Sequence, residues 1–185
     1  MLPLEYICLK NQSYEYNEFS IVPIRYEDRL EIMKWRNEQI YHLRQSEFLT
    51  EKQQDLYFKN VIAPLFQQSK PSQILFSFLK DDRCIGYGGL VHINWTDKNA
   101  EISFIMKTSH EKESFFNYWS VYLKMIEKVG FDELDLNKLY VYAFDLRPHL
   151  YKMLIENNYF LDARLKQHCL FEDKFIDVVI HSKIK

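Results

Sequence analysis

The stretch from Phe131 to Ile184 decides the fold. It reads Phe131-Asp-Glu-Leu134, Asn137-Lys-Leu-Tyr-Val-Tyr-Ala143, Arg147 to Glu156, Asn158-Tyr159, Ala163-Arg-Leu165 and Lys174-Phe-Ile-Asp-Val-Val-Ile-His181. This order predicts a helix end, a strand, a second helix and a β-hairpin. The strand Lys138 to Ala143 is apolar on both alternating faces, which is typical of a central strand covered by helices. Asn158 stands where a left-handed helix cap requires Gly or Asn.

The upstream half supplies the rest of the sheet and two helices. Short apolar runs at Leu4 to Leu9 and Phe19 to Arg25 predict two strands about a turn, of which the first is an appended edge strand. Asp28 to Arg36 and Thr50 to Val61 predict helices, because Thr50 is followed three residues later by Gln53 in a capping pattern.

Three antiparallel strands are predicted next, and a long helix follows them. The strands are Ile74 to Leu79, Cys84 to Ile93 and Ala100 to Met106, separated by polar turns. The helix runs from Phe115 to Val129 and is expected to close at Gly130. The fold class is therefore α/β, a mixed and mostly antiparallel sheet flanked by helices, with an extra N-terminal strand.

Composition limits the classes of function. The 185 residues fit a single domain, 1–185, and they are 47% hydrophobic and 27% charged with a net charge of -2. No block of like charge indicates a nucleic-acid arm or a membrane-surface patch, and no apolar stretch approaches the roughly 18 residues of a membrane span. The N-terminus lacks a secretory pattern, so we expect a cytoplasmic protein with no nucleic-acid or membrane partner.

Cysteine and glycine usage is also informative. Cys8, Cys84 and Cys169 are far apart and without C-x-x-C spacing, so the sequence indicates neither a disulfide framework nor a zinc site. No two histidines are spaced as ligands on one element, and no metal is expected. Only 4 glycines stand against 14 Phe and 13 Tyr, so the chain has few of the flexible loops that usually cradle phosphates.

This order of elements resembles the GNAT superfamily of acyltransferases, over roughly Phe19 to Ile184. Within it the chain is similar to the branch of ribosomal-protein N-terminal acetyltransferases and bacterial aminosugar acetyltransferases. The motifs that carry the second resemblance are Trp35-Arg-Asn37, Ile85-Gly-Tyr-Gly-Gly-Leu-Val-His-Ile-Asn94, Ala163-Arg-Leu-Lys166 and Lys174-Phe-Ile-Asp-Val178. The resemblance implies acetyl-CoA as co-substrate.

The resemblance also implies where acetyl-CoA binds. In the family the strand matching Ala100 to Met106 splays from its neighbour, and its backbone aligns the pantetheine arm, which assigns cofactor contacts to Phe104, Ile105 and Met106. The alternative is a plain buried strand.

The pyrophosphate loop departs from the family pattern R/Q-x-x-G-x-G/A. Ungapped placement puts this loop at Thr108-Ser-His-Glu-Lys-Glu-Ser-Phe115, with Lys112 and Ser114 where the two glycines would be. Either His110, Lys112, Ser114 and the helix start at Phe115 hold the phosphates, or the site is weakened. Glu111 and Glu113 are unfavourable neighbours for phosphate.

Acid and base groups are assigned by the same resemblance. Glu101 matches a position where many relatives carry a Glu beside the thioester, and it suits a general base if its partner is water rather than Lys or Arg. A structural role for Glu101 is the alternative. The family's acidic Tyr is replaced by Leu154. Tyr151, one turn away, is assigned to the cofactor site, where it could substitute for that Tyr; a core residue is the alternative, and the general acid stays unassigned. Arg147 is expected either to contact a CoA phosphate or to cap a surface turn.

The acceptor site of the superfamily is built from the first two helices, their connection and the ends of central strands. Those segments hold a concentration of rings and planar donors: Trp35, Arg36, Asn37, Tyr41, His42, Arg44, His92, Asn94 and Trp95. Such groups suit a nucleotide-linked sugar or another acidic ligand. A histidine beside apolar strand residues is more often a hydrogen-bonded core residue than a catalyst, and we expect this of His42 and His92.

The expected activity is acetyl transfer from acetyl-CoA to a primary amine of an amino sugar, by direct attack within a ternary complex. Two alternatives stay open, namely acetylation of a peptide or protein N-terminus and a degenerate domain that binds without turnover. A homodimer through exposed strand edges is weakly expected.

Overall fold

The computed structural model describes residues 2–185. Its strands are β1 (Tyr14–Tyr16), β2 (Phe19–Pro23), β3 (Ile74–Lys80), β4 (Arg83–Asn94), β5 (Asn99–Met106), β6 (Lys138–Phe144), β7 (Phe160–Phe171) and β8 (Lys174–Ile184). Its helices are α1 (Arg29–Glu38), α2 (Glu51–Tyr57), α3 (Ala63–Leu65), α4 (His110–Glu113), α5 (Phe115–Glu127) and α6 (Pro148–Glu156). A π-helical segment, Phe58–Ile62, joins α2 to α3, and another, Lys128–Glu133, extends α5.

All eight strands form one sheet in the order β1-β2-β3-β4-β5-β6-β8-β7. Every neighbouring pair is antiparallel except β5 and β6, which run parallel. Helix α5 supplies the crossover between those two strands, as a parallel connection requires. The predicted fold class is confirmed.

The core is unusually aromatic. Helix α5 lays Trp119 and Tyr122 on the sheet, where the Tyr122 ring stacks on Phe104 with a centroid distance of 3.9 Å. Gly88 of β4 makes that approach feasible, because a Cβ there would lie 2.1 Å from the Ser103 carbonyl oxygen and 2.6 Å from Tyr122 Oη. The aromatic core therefore fixes α5, and with it the crossover, against the middle of the sheet.

The predicted N-terminal strand is wrong in its position. Leu4 to Leu9 is not a strand, and the appended strand is β1, at Tyr14–Tyr16. The apolar residues of the first segment are anchors instead, since the buried Tyr6 stacks on Phe66 at 4.0 Å. Gln12 holds the turn, because its side chain bonds the Tyr6 backbone N–H and carbonyl and the Leu9 carbonyl.

Gly130 does not close the long helix. The chain passes through Gly130 in the π-helical segment, and the left-handed residue that follows is Asp135, with φ 51°. Glycine is needed at 130 for packing, since a Cβ there would lie 2.8 Å from two Leu139 methyl carbons.

The other predicted boundaries agree with the structure to within a few residues. Thr50 and Gln53 form the expected capping box at α2, and Asn158 takes the expected left-handed conformation, with φ 66°. Among residues 2–185, no helix is both long and apolar enough to cross a membrane.

Candidate active site

The parallel strands β5 and β6 separate in the middle of the sheet. They pair only over Asn99↔Lys138, Ala100↔Leu139 and Glu101↔Tyr140. Beyond Glu101, β5 stays paired with β4 as far as Met106, whereas β6 stays paired with β8. One edge of β5 from Ile102 to Met106 therefore faces a gap and not a neighbouring strand.

A cavity of about 590 Å³ occupies this gap and continues toward α1 and the loop after it. Its lining includes eight of the residues predicted for the site, namely Arg36, His42, Arg44, His92, Glu101, Phe104, Ile105 and Arg147. The sheet thus brings together residues that are up to 111 positions apart in the sequence, from Arg36 to Arg147. The volume is that of a small-molecule site.

Glu101 lies at the point of separation and has two basic partners. Arg44 Nη2 donates to Glu101 Oε1, and His92 Nε2 lies 3.8 Å from Oε2. The side chain of Glu101 is 6% exposed, whereas those of Arg44 and His92 are 47% and 64% exposed. Burial raises the pKa of Glu101, and the two basic neighbours oppose that rise. The condition for Glu101 to act as the base, a water partner in place of an arginine, is not met.

A second arginine and histidine, Arg147 and His42, line the cavity elsewhere, and a second carboxylate, Glu111, pairs with this arginine. Arg147 Nη2 donates to Glu111 Oε2 at 2.9 Å, and both side chains are buried, at 9% and 10% exposed. Arg147 Nη1 lies 3.1 Å from His42 Nδ1, and His42 Nε2 lies 3.3 Å from Gln39 Oε1. Burial and the charge of Arg147 lower the pKa of His42 to about 3. His42 is therefore neutral and accepts at Nδ1 while it donates to Gln39.

Arg147 is thus not a cap on a surface turn. It occupies the N-cap position of α6, but its guanidinium points inward and lies 5.1 Å from the centroid of the Phe115 ring. Its Nε and Trp119 Nε1 are buried donors without a protein partner, and both residues line the cavity.

The glycine-poor loop forms a short helix, α4, followed by the start of α5. Ser114 sits between them with φ -135° and gives α5 no side-chain cap. Lys112 is exposed, and the pKa of His110 is lowered by burial and by the nearby Lys107 and Lys80. Glu111 is neutralised by Arg147, which removes one of the two carboxylates that were expected to repel phosphate.

Some predicted acceptor residues do not line the cavity. Trp35 is a core residue, 2% exposed. Asn37 holds the loop after α1, where its side chain bonds the backbone of Leu49. Asn94 organises the β4–β5 turn through Thr96 and Asp97. These side chains support the walls of the site, so their expected contact with an acceptor is corrected.

The cofactor assignments of Met106 and Tyr151 also change. Met106 is buried, is not part of the cavity lining, and its carbonyl accepts from Gln39 Nε2 at 2.8 Å. Tyr151 Oη donates to Asp145 Oδ1 at 2.9 Å, and burial together with Asp145 raises the pKa of Tyr151. Tyr151 is thus committed outside the cavity and does not replace the hydroxyl that Leu154 lacks.

Several lining residues have no sequence signal of their own. Tyr87 accepts from Arg36 Nη1 at 2.7 Å, and Tyr142 carries the Arg44 guanidinium 4.6 Å above its ring. Arg36, Tyr57 and Tyr87 also line an adjoining, mostly apolar cavity of about 260 Å³. The chain has many tyrosines, so only the alternation of inward and outward side chains along β4 and β6 could have distinguished Tyr87 and Tyr142 from core residues.

Comparisons with known proteins agree on the kind of domain. Residues 21–170 match the family model described as acetyltransferase (GNAT) domain. The fold is similar to that of a spermidine N-acetyltransferase from Vibrio cholerae solved with CoA and spermine, with a TM-score of 0.80, 14% identity and coverage of 91% of this chain and 96% of that one.

Two further structures share the fold. Mutant forms of the spermidine/spermine N-acetyltransferase SpeG from Vibrio cholerae have a TM-score of 0.75 and 16% identity, covering 91% of this chain and 95% of the other. A protein described as a putative acetyltransferase has a TM-score of 0.70 and 11% identity, covering 94% and 87%. At these identities the likeness concerns the fold.

Proposed function

The chain belongs to the GNAT acetyltransferase family, and on that premise we propose that it transfers acetyl from acetyl-CoA to the primary amine of a small anionic acceptor, an amino sugar carried on a nucleotide. Acetyl-CoA is the acetyl donor of this family. The observation that carries the proposal is the cavity between β5 and β6, because it places an unpaired strand edge beside a polar, arginine-rich chamber.

The gap fits the pantetheine arm of acetyl-CoA. An extended amide chain that enters beside Phe104 and Ile105 meets the backbone groups that β6 leaves unpaired. Arg147 Nε and Trp119 Nε1 need acceptor oxygens, and the carbonyls of the arm are of that kind. Bound there, acetyl-CoA presents its thioester to the chamber lined by Glu101 and His92.

The phosphate end falls at the start of α5. The first N–H groups of a helix lack intrahelical partners and attract anions. Lys80 and Lys107 lie close enough to His110 to lower its pKa, and Lys112 is exposed on α4. The charge of these lysines thus replaces the close backbone approach that glycines would allow.

The acceptor chamber favours an anionic ligand. Arg36 and Arg44 line it, and Glu101 is the carboxylate among its lining residues. A polyamine, the ligand of the Vibrio cholerae structure, carries several positive charges and would be repelled by these guanidiniums. A phosphate-bearing acceptor gains charge-assisted hydrogen bonds from them instead. Tyr57, which is exposed, and Tyr87, which is buried but lines the cavity, suit a sugar or base ring.

An acceptor of this kind favours the aminosugar branch of the family over the ribosomal-protein N-terminal enzymes. The expected location of the protein remains the cytoplasm.

A homodimer stays a prediction supported by β7, an edge strand whose hairpin with β8 exposes Leu170 and Phe175. One of the Vibrio cholerae structures is described as a dodecamer.

The test compares four acceptors at fixed acetyl-CoA. They are UDP- or dTDP-linked amino sugars, the same sugar without the nucleotide, spermidine, and a peptide amine. We expect the nucleotide-linked sugar to have the highest kcat/KM, and the free sugar to be at least about tenfold poorer, which corresponds to one lost charge-assisted contact. Preference for spermidine or the peptide would contradict the acceptor assignment. Binding of acetyl-CoA without transfer to any amine would favour the non-catalytic alternative.

A further inference from the structure

Strand β4 is irregular beside the point where β5 and β6 separate. Its register with β5 shifts between Val91 and Asn94, and His92 within this bulge has φ 50°. A non-glycine residue with a positive φ is uncommon inside a strand, and bulges next to functional sites often redirect a side chain. The irregular backbone is therefore a feature that the surrounding sheet must hold in place.

The bulge places the His92 imidazole in the cavity next to Glu101. Val91 pairs with Glu101 across the strands, so His92 would point away from that carboxylate in a regular ladder. In the bulge, Nε2 lies 3.8 Å from Glu101 Oε2, and the side chain is 64% exposed. The ring is open to a ligand, while the carboxylate lies behind it.

The charged groups around His92 indicate different roles for His92 and Glu101. Arg44, from the loop after α1, holds the other oxygen of Glu101, and Tyr140 and Tyr142 of β6 lie near the same pair. Protonation of Glu101 would weaken its ion pair with Arg44. The carboxylate lies slightly beyond hydrogen-bond distance of Nε2, so its charge favours a proton on Nε2 and leaves the Nδ1 lone pair of His92 available.

We propose that His92 removes the proton from the acceptor ammonium, directly or through one water, and that Glu101 is its positioning residue. This inference rests on the proposed acetyl transfer. The ammonium gives one proton to His92 Nδ1, which passes it to solvent. The free amine forms a bond to the thioester carbonyl carbon, the C–S bond breaks, and the thiolate leaves as CoA with the second proton of the nitrogen.

The main variant is His92→Asn, because asparagine tolerates the left-handed backbone and cannot act as the base. We expect kcat/KM near neutral pH to fall about a hundredfold or more, with the affinity for acetyl-CoA and the melting temperature unchanged. The loss should shrink at alkaline pH, where the acceptor amine is already neutral. His92→Gly should regain rate when imidazole is added.

Two further variants separate the roles. Glu101→Gln should lower kcat and keep the pH profile of a histidine-dependent reaction, and His168→Ala, on β7, should change nothing. If His92→Asn retains the wild-type rate while Glu101→Gln abolishes the dependence on pH, Glu101 is the base and this inference is wrong. If the wild-type protein transfers acetyl to no amine, the proposed function fails first.

Discussion

Two clusters at the cavity contain the same three residue types in different surroundings. One cluster is Glu101, Arg44 and His92, where the arginine and the histidine are about half exposed. The other cluster is Glu111, Arg147 and His42, where the ion pair is buried. Residue type alone therefore says little about role. The exposure of the side chains decides which set can exchange its protein partners for a ligand and which set contributes to the stability of the fold.

The difference has a simple physical origin. A buried pair cannot lose one partner without leaving a desolvated charge, whereas a half-exposed arginine is solvated when it leaves its carboxylate. Arg44 can therefore move to the proposed acceptor phosphate more easily than Arg147 can leave Glu111, although Glu101, 6% exposed, then keeps only His92 as a basic neighbour. Arg147 stays with Glu111 and offers only its free Nε–H.

The largest predicted effect is on stability at the buried cluster. Glu111→Gln leaves the Arg147 guanidinium buried without a counter-ion, and we expect a loss of about 3–5 kcal/mol in the free energy of unfolding, measured by urea denaturation. The double variant Glu111→Leu with Arg147→Met should lose clearly less free energy of unfolding than Glu111→Leu and Arg147→Met lose in sum when each is made alone. A loss from Glu111→Gln below about 1 kcal/mol, the range of exposed pairs, would remove the distinction between the two clusters.

The matching change at the exposed cluster is Arg44→Met. Because the Arg44 side chain is 47% exposed but its partner Glu101 is only 6% exposed, the free energy of unfolding should fall by about 1–3 kcal/mol, less than in Glu111→Gln. The KM for the anionic acceptor should rise about tenfold, which is the loss of one charge-assisted hydrogen bond. Steady-state kinetics measure the effect on the acceptor, and calorimetry with acetyl-CoA measures the effect on the donor. An unchanged acceptor KM would count against Arg44 as a phosphate ligand.

The smallest predicted effect concerns pH. The pKa of His42 is about 3 in the folded protein and about 6.5 in an unfolded chain, so between these values only the unfolded state takes up a proton at this site. Stability should fall as pH decreases from 6.5, by about 1 kcal/mol or slightly more between pH 6 and 5 for this group. His42→Gln should flatten the dependence, and the exposed His168→Gln should not. If stability depends on pH identically in the wild type and in His42→Gln, His42 is not held neutral.

Much of the fold is predictable because local signals agree. The capping residues Thr50 and Gln53, the left-handed Asn158 and the apolar β6 each have one physical explanation, and the structure confirms them. The prediction of a strand at Leu4 to Leu9 is wrong because spaced apolar residues serve equally as anchors of a loop. The prediction of a helix end at Gly130 is wrong because that glycine packs against Leu139, a tertiary contact with no local signature.

The site is less predictable because it depends on which residues meet across the sheet. The pairing of Glu101 with Arg44 and of Arg147 with Glu111 joins positions 57 and 36 residues apart. Nothing in the local sequence distinguishes an arginine that lines a cavity from one in solvent. The β4 bulge at His92 is likewise invisible, since its sequence reads as a continuous strand. Family resemblance indicated a region of the sheet, and the geometry shows which of its side chains line a common cavity.

The most direct test of the account is a calorimetric titration with acetyl-CoA of the wild-type protein and of Ala143→Phe, which places a ring in the gap between β5 and β6. We expect one site of micromolar affinity in the wild type, weakened at least about tenfold in Ala143→Phe, with His168→Ala as an unaffected control. Absence of binding to the wild type, or equal affinity in Ala143→Phe of unchanged melting temperature, would contradict the claim that this gap holds the acetyl donor.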